Sequence, residues 1–69
     1  MTSLEAISAA FTTKNTYFFD FNLGSGKPST GHAYPLRDGV MVVSVVGIAT
    51  VPTFMSRTNC RKIVKETTK

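Results

Sequence analysis

The pattern of apolar and polar positions over the first 23 residues predicts a short helix followed by a strand. Thr2 and Glu5 have the spacing of a capping box, and apolar side chains follow at helical intervals as far as Phe11. From residue 16 to residue 23 apolar and polar side chains alternate, which is typical of a strand with one buried face. Phe18 is the exception, because it lies on the polar side of this alternation.

A loop and a second, shorter strand are predicted next. Residues 24–31 consist of Gly, Ser, Thr, Lys and Pro, a composition typical of a flexible loop. Residues 32–36 fit a short strand. Pro35 predicts that this strand lies at an edge of the sheet, since proline has no N–H to donate to a neighbour.

The most apolar stretch runs from Val40 to Val51 and is mainly β-branched. It follows Asp38-Gly39, a pair that indicates a hairpin turn. We predict one long central strand, bent or bulged at Gly47 and ended or kinked by Pro52. Residues 53–56 fit either a turn or an extension of that strand.

The C-terminal segment fits two structures. Its apolar residues from Cys60 to Thr67 have helical spacing, whereas their β-branched content favours a strand. A helix would also place Arg61 and Lys62 near its positive N-terminus, which is unfavourable. We therefore predict a strand here, with a frayed basic tail over residues 67–69.

These elements predict an α+β fold in a single small domain, residues 1–69. A short N-terminal helix would pack on a mainly antiparallel sheet of three to four strands, with a half-barrel as a variant. We expect the central strand to be covered on both faces, by the helix on one and by a second subunit on the other. The predicted core residues are Leu4, Ile7, Phe11, Phe19, Phe21, Val42, Val43, Val45, Ile48, Val51 and Val64.

The small size of the chain suggests that its core needs support. A chain of 69 residues buries only about 60% of its unfolded surface. It has one cysteine and one histidine, which cannot form an internal disulfide or a four-ligand zinc site. We expect no metal and no cofactor, and we expect a homo-oligomer or another partner to supply the missing contacts.

The net charge of +4 is concentrated at the C-terminus, where residues 57–69 contain five cations and one acid. A basic end attracts polyanions such as nucleic acid or an acidic protein surface, although it can also be a solvated tail. Cations that contact phosphate and aromatic rings that stack on bases are the usual groups of single-strand binders. The candidate binding residues of these two kinds are Lys27, Arg37, Arg57, Arg61, Lys62, Lys65, Phe18 and Tyr34.

No motif indicates catalysis, and we expect that the chain is not an enzyme. The segment Gly24 to Ser29 has a proline at residue 28, where a phosphate-binding loop needs Ser or Thr. Cys60 and His32 are a possible nucleophile and base, but nothing in their local sequence supports that role. Cys60 is more simply explained as a small core residue.

A membrane span is not expected. Residues 39–56 are uncharged, which is near the lower length limit for a spanning helix, but only about 12 of them are strongly apolar. The N-terminus lacks the basic and apolar regions of a signal peptide. Together with the free cysteine, this predicts a cytoplasmic location, in the host cell if the protein is viral.

Two functional hypotheses follow. The first is a small non-enzymatic protein that binds the phosphate backbone of nucleic acid, in which case its affinity falls as salt is added. The second is a protein-binding or self-assembling module, such as a viral or phage accessory, inhibitor or structural protein. Complexes of the second kind would persist at high salt.

Overall fold

A computed structural model of the chain describes residues 1–22, 26 and 28–68. These described residues form two helices and four strands, and the predicted α+β fold is confirmed. The strands form one antiparallel sheet in the order β1-β2-β3-β4. In chain order the elements are α1 (Ser3–Thr13), β1 (Tyr17–Asn22), β2 (Pro28–Leu36), β3 (Gly39–Val46), β4 (Ala49–Ser56) and α2 (Arg57–Thr67).

Helix α1 begins with the predicted capping box. The Glu5 amide donates to the Thr2 hydroxyl at 3.2 Å, and the Thr2 amide donates to the Glu5 carboxylate at 3.0 Å. The helix packs through Ala6, Ile7 and Ala10, all buried. Leu4 was predicted to be a core residue, but it is 46% exposed, because the small alanines give the closer approach to the sheet.

Strand β1 alternates as predicted. Phe19 is buried, while Phe18 points to the other side of the sheet and is 65% exposed. The Phe19 ring lies over Gly31, its partner on β2, so that a Cβ at Gly31 would overlap the ring. The Phe19 ring therefore fills the space above Gly31 that a side chain at residue 31 would otherwise occupy.

Strand β2 is longer than predicted, and the prediction that it lies at an edge is wrong. It begins at Pro28, inside the segment predicted to be a loop, and runs between β1 and β3. Pro35 is opposite Val40 of β3, but the pairing with β1 extends only to Ala33. Beyond Ala33 one side of β2 has no neighbouring strand, so a missing N–H is tolerated there.

The predicted long strand from Val40 to Val51 is a hairpin instead. The chain reverses at Gly47 and Ile48, with Gly47 at φ +62°. A glycine of positive φ at the first central position is the requirement of a type II′ turn, which joins twisted strands well. Ile48 and Val51 were predicted to be core residues, but they lie at this projecting end and are 106% and 53% exposed.

The C-terminal strand prediction is also wrong, because this segment forms α2. The Ser56 hydroxyl caps the helix by accepting from the Asn59 amide at 3.4 Å. Cys60 and Ile63 become buried on one side of the helix. Burial of a large apolar side chain such as Ile63 stabilises the fold by about 1.5–3 kcal/mol. This gain is larger than the cost of about 0.3–1 kcal/mol for a cation near a helix N-terminus. The helix includes Thr67, which was predicted to belong to the frayed tail.

Both helices lie on the same side of the sheet, and the core fills the space between them. Val43 and Val45 were predicted to be core residues, but they point to the opposite side of the sheet and are half-buried. The expected cover of one face by helix is present. No helix of the described residues lies on the second face. The buried core residues are Ala6, Ile7, Ala10, Phe19, Ala33, Val40, Cys60 and Ile63.

Candidate functional site

The structure separates the predicted binding residues by type. The aromatic residues Phe18 and Tyr34 lie on the side of the sheet away from the helices, whereas the cations of α2 lie in the helix layer. Lys27 lies outside the described residues. The aromatic and cationic groups therefore form distinct surfaces.

We call the side of the sheet away from the helices the open sheet face. The Phe18 and His32 rings meet edge to face with centroids 4.7 Å apart, and His32 meets Tyr34 in the same way at 5.7 Å. The His32 Nδ1 and the Tyr34 hydroxyl are hydrogen-bonded at 2.8 Å. By strand alternation and register this face includes Phe18, Asp20, Asn22, Pro28, Thr30, His32, Tyr34, Leu36, Met41, Val43, Val45, Thr50, Pro52 and Phe54.

The open sheet face is almost uncharged. Among the strand residues that the structure describes, Asp20 is its only charged side chain, and it lies on edge strand β1. Phe18 and Phe54 are 65% and 49% exposed, and Tyr34 is 37% exposed. Because none of the described strand residues on this face is a cation, they offer no phosphate contacts of the kind that accompany base stacking in single-strand binders.

Arg57, one of the predicted cations, contacts the turn between β2 and β3, which contains Arg37. The Arg57 guanidinium donates to the Arg37 carbonyl oxygen at 2.9 Å and lies 3.8 Å from the Asp38 carboxylate. The ion pair is exposed, so it contributes little to stability. These contacts hold the start of α2 against the turn and occupy part of the Arg57 donor set.

Two other predicted cations, Arg61 and Lys65, border a groove between α1 and α2, which we call the α1–α2 groove. It has a volume of about 470 Å³ and is lined by Phe11, Thr12, Arg61, Val64 and Lys65. Arg61 and Lys65 are four residues apart and therefore occupy the same side of α2. Lys62 is exposed elsewhere on the helix.

Sequence reasoning missed one cation beside Phe11, a residue that lines this groove. The Lys14 ammonium lies 4.9 Å from the centroid of the Phe11 ring. Lys14 reaches this position because α1 ends there in a left-handed conformation, with φ 63°. The i, i+3 spacing of Phe11 and Lys14 was the available signal, since such residues are neighbours on a helix.

The acids lie away from the α1–α2 groove. The amide and hydroxyl of Thr2 hydrogen-bond Glu5 and lower the pKa of its carboxyl, so Glu5 is ionised at the far end of α1. Asp38 faces Arg57, and Asp20 belongs to the open sheet face. Glu66 follows Lys65 but lies about 100° further round the helix. The groove is therefore positively charged.

Cys60 and His32 do not form a catalytic pair. The Cys60 side chain is buried on the inner side of α2, where its thiol donates to the Met55 carbonyl oxygen at 3.6 Å. Burial raises the pKa of this thiol and disfavours the reactive thiolate. His32 lies on the opposite side of the sheet.

A second cleft opens where the helices leave part of the sheet uncovered. It has a volume of about 350 Å³ and lies between the start of α1 and the strands. Its walls are mainly apolar and include Ile7, Phe21 and Val42. No charged side chain of the described chain lines it.

In the part of the chain described here, neither helix has the length and apolar character needed to cross a bilayer. The chain matches no protein-family model, no curated protein and no solved structure.

Proposed function

We propose that the chain is a non-enzymatic protein that binds the phosphate backbone of nucleic acid through the α1–α2 groove. The supporting observation is the grouping of Lys14, Arg61 and Lys65 around Phe11, with the described acids elsewhere. Neighbouring cations on a surface attract a repeating polyanion and raise its rate of association.

The groove suits phosphate better than an isolated carboxylate. Arg61 offers a planar set of N–H donors that fits two phosphate oxygens, and Lys65 and Lys14 add flexible point charges. The apolar floor formed by Phe11 and Val64 reduces the local dielectric, which strengthens these contacts. Three cations predict about three phosphate contacts per protein.

This proposal differs from the sequence-based hypothesis in one respect. Phe18 and Tyr34 are on the other side of the molecule, so they are not expected to stack on bases held at the groove. Phosphate contacts alone carry no sequence information. We therefore expect similar affinity for different sequences, and binding to duplex as well as to single strands.

Fluorescence anisotropy with a short labelled duplex tests the proposal. We expect the logarithm of affinity to fall with the logarithm of salt concentration, with a slope of about −0.9 for each phosphate contact. The variant R61Q/K65Q should lower the affinity at least about tenfold and reduce the slope by about 2. The variant R37Q/K62Q is the matched control, since it removes one Arg and one Lys from outside the groove.

Two outcomes contradict this function. The first is an affinity that is absent at low salt or insensitive to added salt. The second is an equal loss in both variants, which would mean that net charge and not the groove determines binding.

The open sheet face favours a second candidate, a protein-binding or self-assembling module. A bare, nearly uncharged face with exposed aromatic rings is typical of a protein contact surface. The two candidates use opposite sides of the molecule and are compatible with each other.

A further inference from the structure

The open sheet face exposes more large apolar side chains than a stable monomer normally leaves in water. Phe18, Tyr34, Leu36 and Phe54 are between 37% and 65% exposed. Between them lie half-buried Met41, Val43 and Val45. Contiguous apolar patches of more than a few hundred Å² usually mark an interaction site.

The face is also large enough for a stable interface. The molecule measures 31 × 25 × 17 Å along its principal axes. A side that measures 31 Å by 25 Å, or 31 Å by 17 Å, is of the same order as the area of about 800 Å² per partner that a standard protein interface buries.

The distribution of charge determines which partner fits. A twofold dimer uses the same patch on both subunits, so that patch must be complementary to itself. The helix layer contains the cations of the α1–α2 groove and would repel a copy of itself. The open sheet face has Asp20 as its only described strand charge, at an edge, and an apolar centre that matches its own copy.

We propose that two copies of the chain pair face to face through the open sheet face. The two sheets would stack about 10 Å apart with strands crossing at about 30°. Phe18, Phe54 and Tyr34 of each copy would anchor the contact. Both helix layers, with their cations, would face outward on opposite sides of the dimer.

The polar groups at the centre of the face are compatible with burial. His32 and Tyr34 already hydrogen-bond each other at 2.8 Å, so burial does not leave these two polar atoms without a hydrogen-bond partner. Asp20 is at the β1 edge, where it stays at the solvated rim of such a contact. Pro52 lies on edge strand β4, where it limits the competing extension of the sheet by edge pairing.

Sedimentation velocity of the unmodified chain tests this proposal. Measured in about 1 M salt, where the Debye length is about 3 Å, association does not depend on charge or on bound polyanion. We expect a monomer–dimer equilibrium between about 1 µM and about 300 µM, the range of moderate protein affinities. A chain that is monomeric throughout this range overturns the proposal.

A pair of double variants locates the contact. F18Q/F54Q removes two exposed anchors from the open sheet face and should weaken the dimer about thirtyfold or more. L4Q/V51Q is the control, because Leu4 and Val51 are also exposed but lie on the helix side. Equal weakening by both variants, or no weakening by F18Q/F54Q, overturns the proposal. Circular dichroism confirms that each variant is folded.

A third measurement needs no substitution. On dilution, the NMR signals of the His32 ring should shift, because this ring lies at the centre of the proposed contact, whereas those of Phe11 should not. Shifts confined to Phe11 and the helices overturn the proposal. Because these experiments are done at high salt, their result is independent of nucleic-acid binding. The dimer can be absent although the groove binds nucleic acid, and it can be present although the groove binds none.

Discussion

Phe18 and Phe19 are neighbours in the sequence, but the fold gives them opposite environments. Phe19 is 4% exposed and packs between the sheet and the helices, whereas Phe18 is 65% exposed on the open sheet face. A shift of one position along a strand moves a side chain to the other face. Aromatic residues that form one cluster in the sequence are therefore divided into a core group and a surface group.

The same division separates the two candidate functions. The helix side carries the cations, which the α1–α2 groove brings together from the end of α1 and from α2. The open sheet face carries exposed aromatic rings and little charge. One side is suited to a polyanion and the other to an apolar protein surface. The molecule is better described as having two separate surfaces, one on each side of the sheet, than as having one mixed binding site.

The largest expected difference between the two sides is in stability. Phe19→Ala removes a buried ring and should lower the free energy of unfolding by about 3–5 kcal/mol. That is a large part of the stability of a domain this small, which is about 3–10 kcal/mol at about 0.05–0.15 kcal/mol per residue. Phe18→Ala should change it by less than about 1 kcal/mol. Urea denaturation of dilute protein measures both, and similar losses would contradict the division.

The reaction rate of the Cys60 thiol measures how well the packing of the helices protects this thiol from reagents in solution. Burial raises the pKa of its thiol and blocks access of reagents, so modification requires local or global opening. We expect a disulfide reagent at mildly alkaline pH to react at least about a hundredfold more slowly with the folded chain than with the urea-unfolded chain. Equal rates would show that the thiol is not enclosed between α2 and the rest of the fold.

The smallest expected effect is on the thermal stability of the chain at acidic pH. The folded-state pKa of Glu5 is lowered by its hydrogen bonds with Thr2. The stabilisation that ionised Glu5 gives the fold is therefore fully present above the pKa that Glu5 has in the unfolded chain. It is lost as pH falls through the pKa that Glu5 has in the folded chain. Glu5→Gln keeps the capping geometry but does not titrate. The thermal midpoint of this variant should depend less on pH below about pH 5 than that of the unmodified chain. An unchanged profile would contradict this role.

The local features of the fold could be predicted where one physical rule decides them. The capping box of α1 and the alternation of β1 each follow from the types and spacing of a few neighbouring residues. The hairpin at Gly47 was missed because a glycine inside an apolar run also fits a bulge. Helix α2 was missed because its β-branched residues favour a strand locally, and only packing of Cys60 and Ile63 against the rest of the fold reverses that preference.

The binding residues could be predicted singly but not as groups. Cations and exposed aromatic rings are visible in the sequence, whereas their division between two sides depends on strand register and on where the helices pack. Lys14 was missed because it is far in sequence from Arg61 and Lys65. Val43 and Val45 were assigned to the core because an apolar run does not show which face will be covered.

The most direct test of the two-surface account measures both properties on the same two variants. Dimerisation in high salt and affinity for a short duplex in low salt would be measured for F18Q/F54Q and for R61Q/K65Q. We expect the first variant to lose dimerisation and to keep most of its affinity for the duplex, and we expect the second to do the reverse. If both variants lose both properties to a similar extent, the two sides of the sheet do not act as separate surfaces.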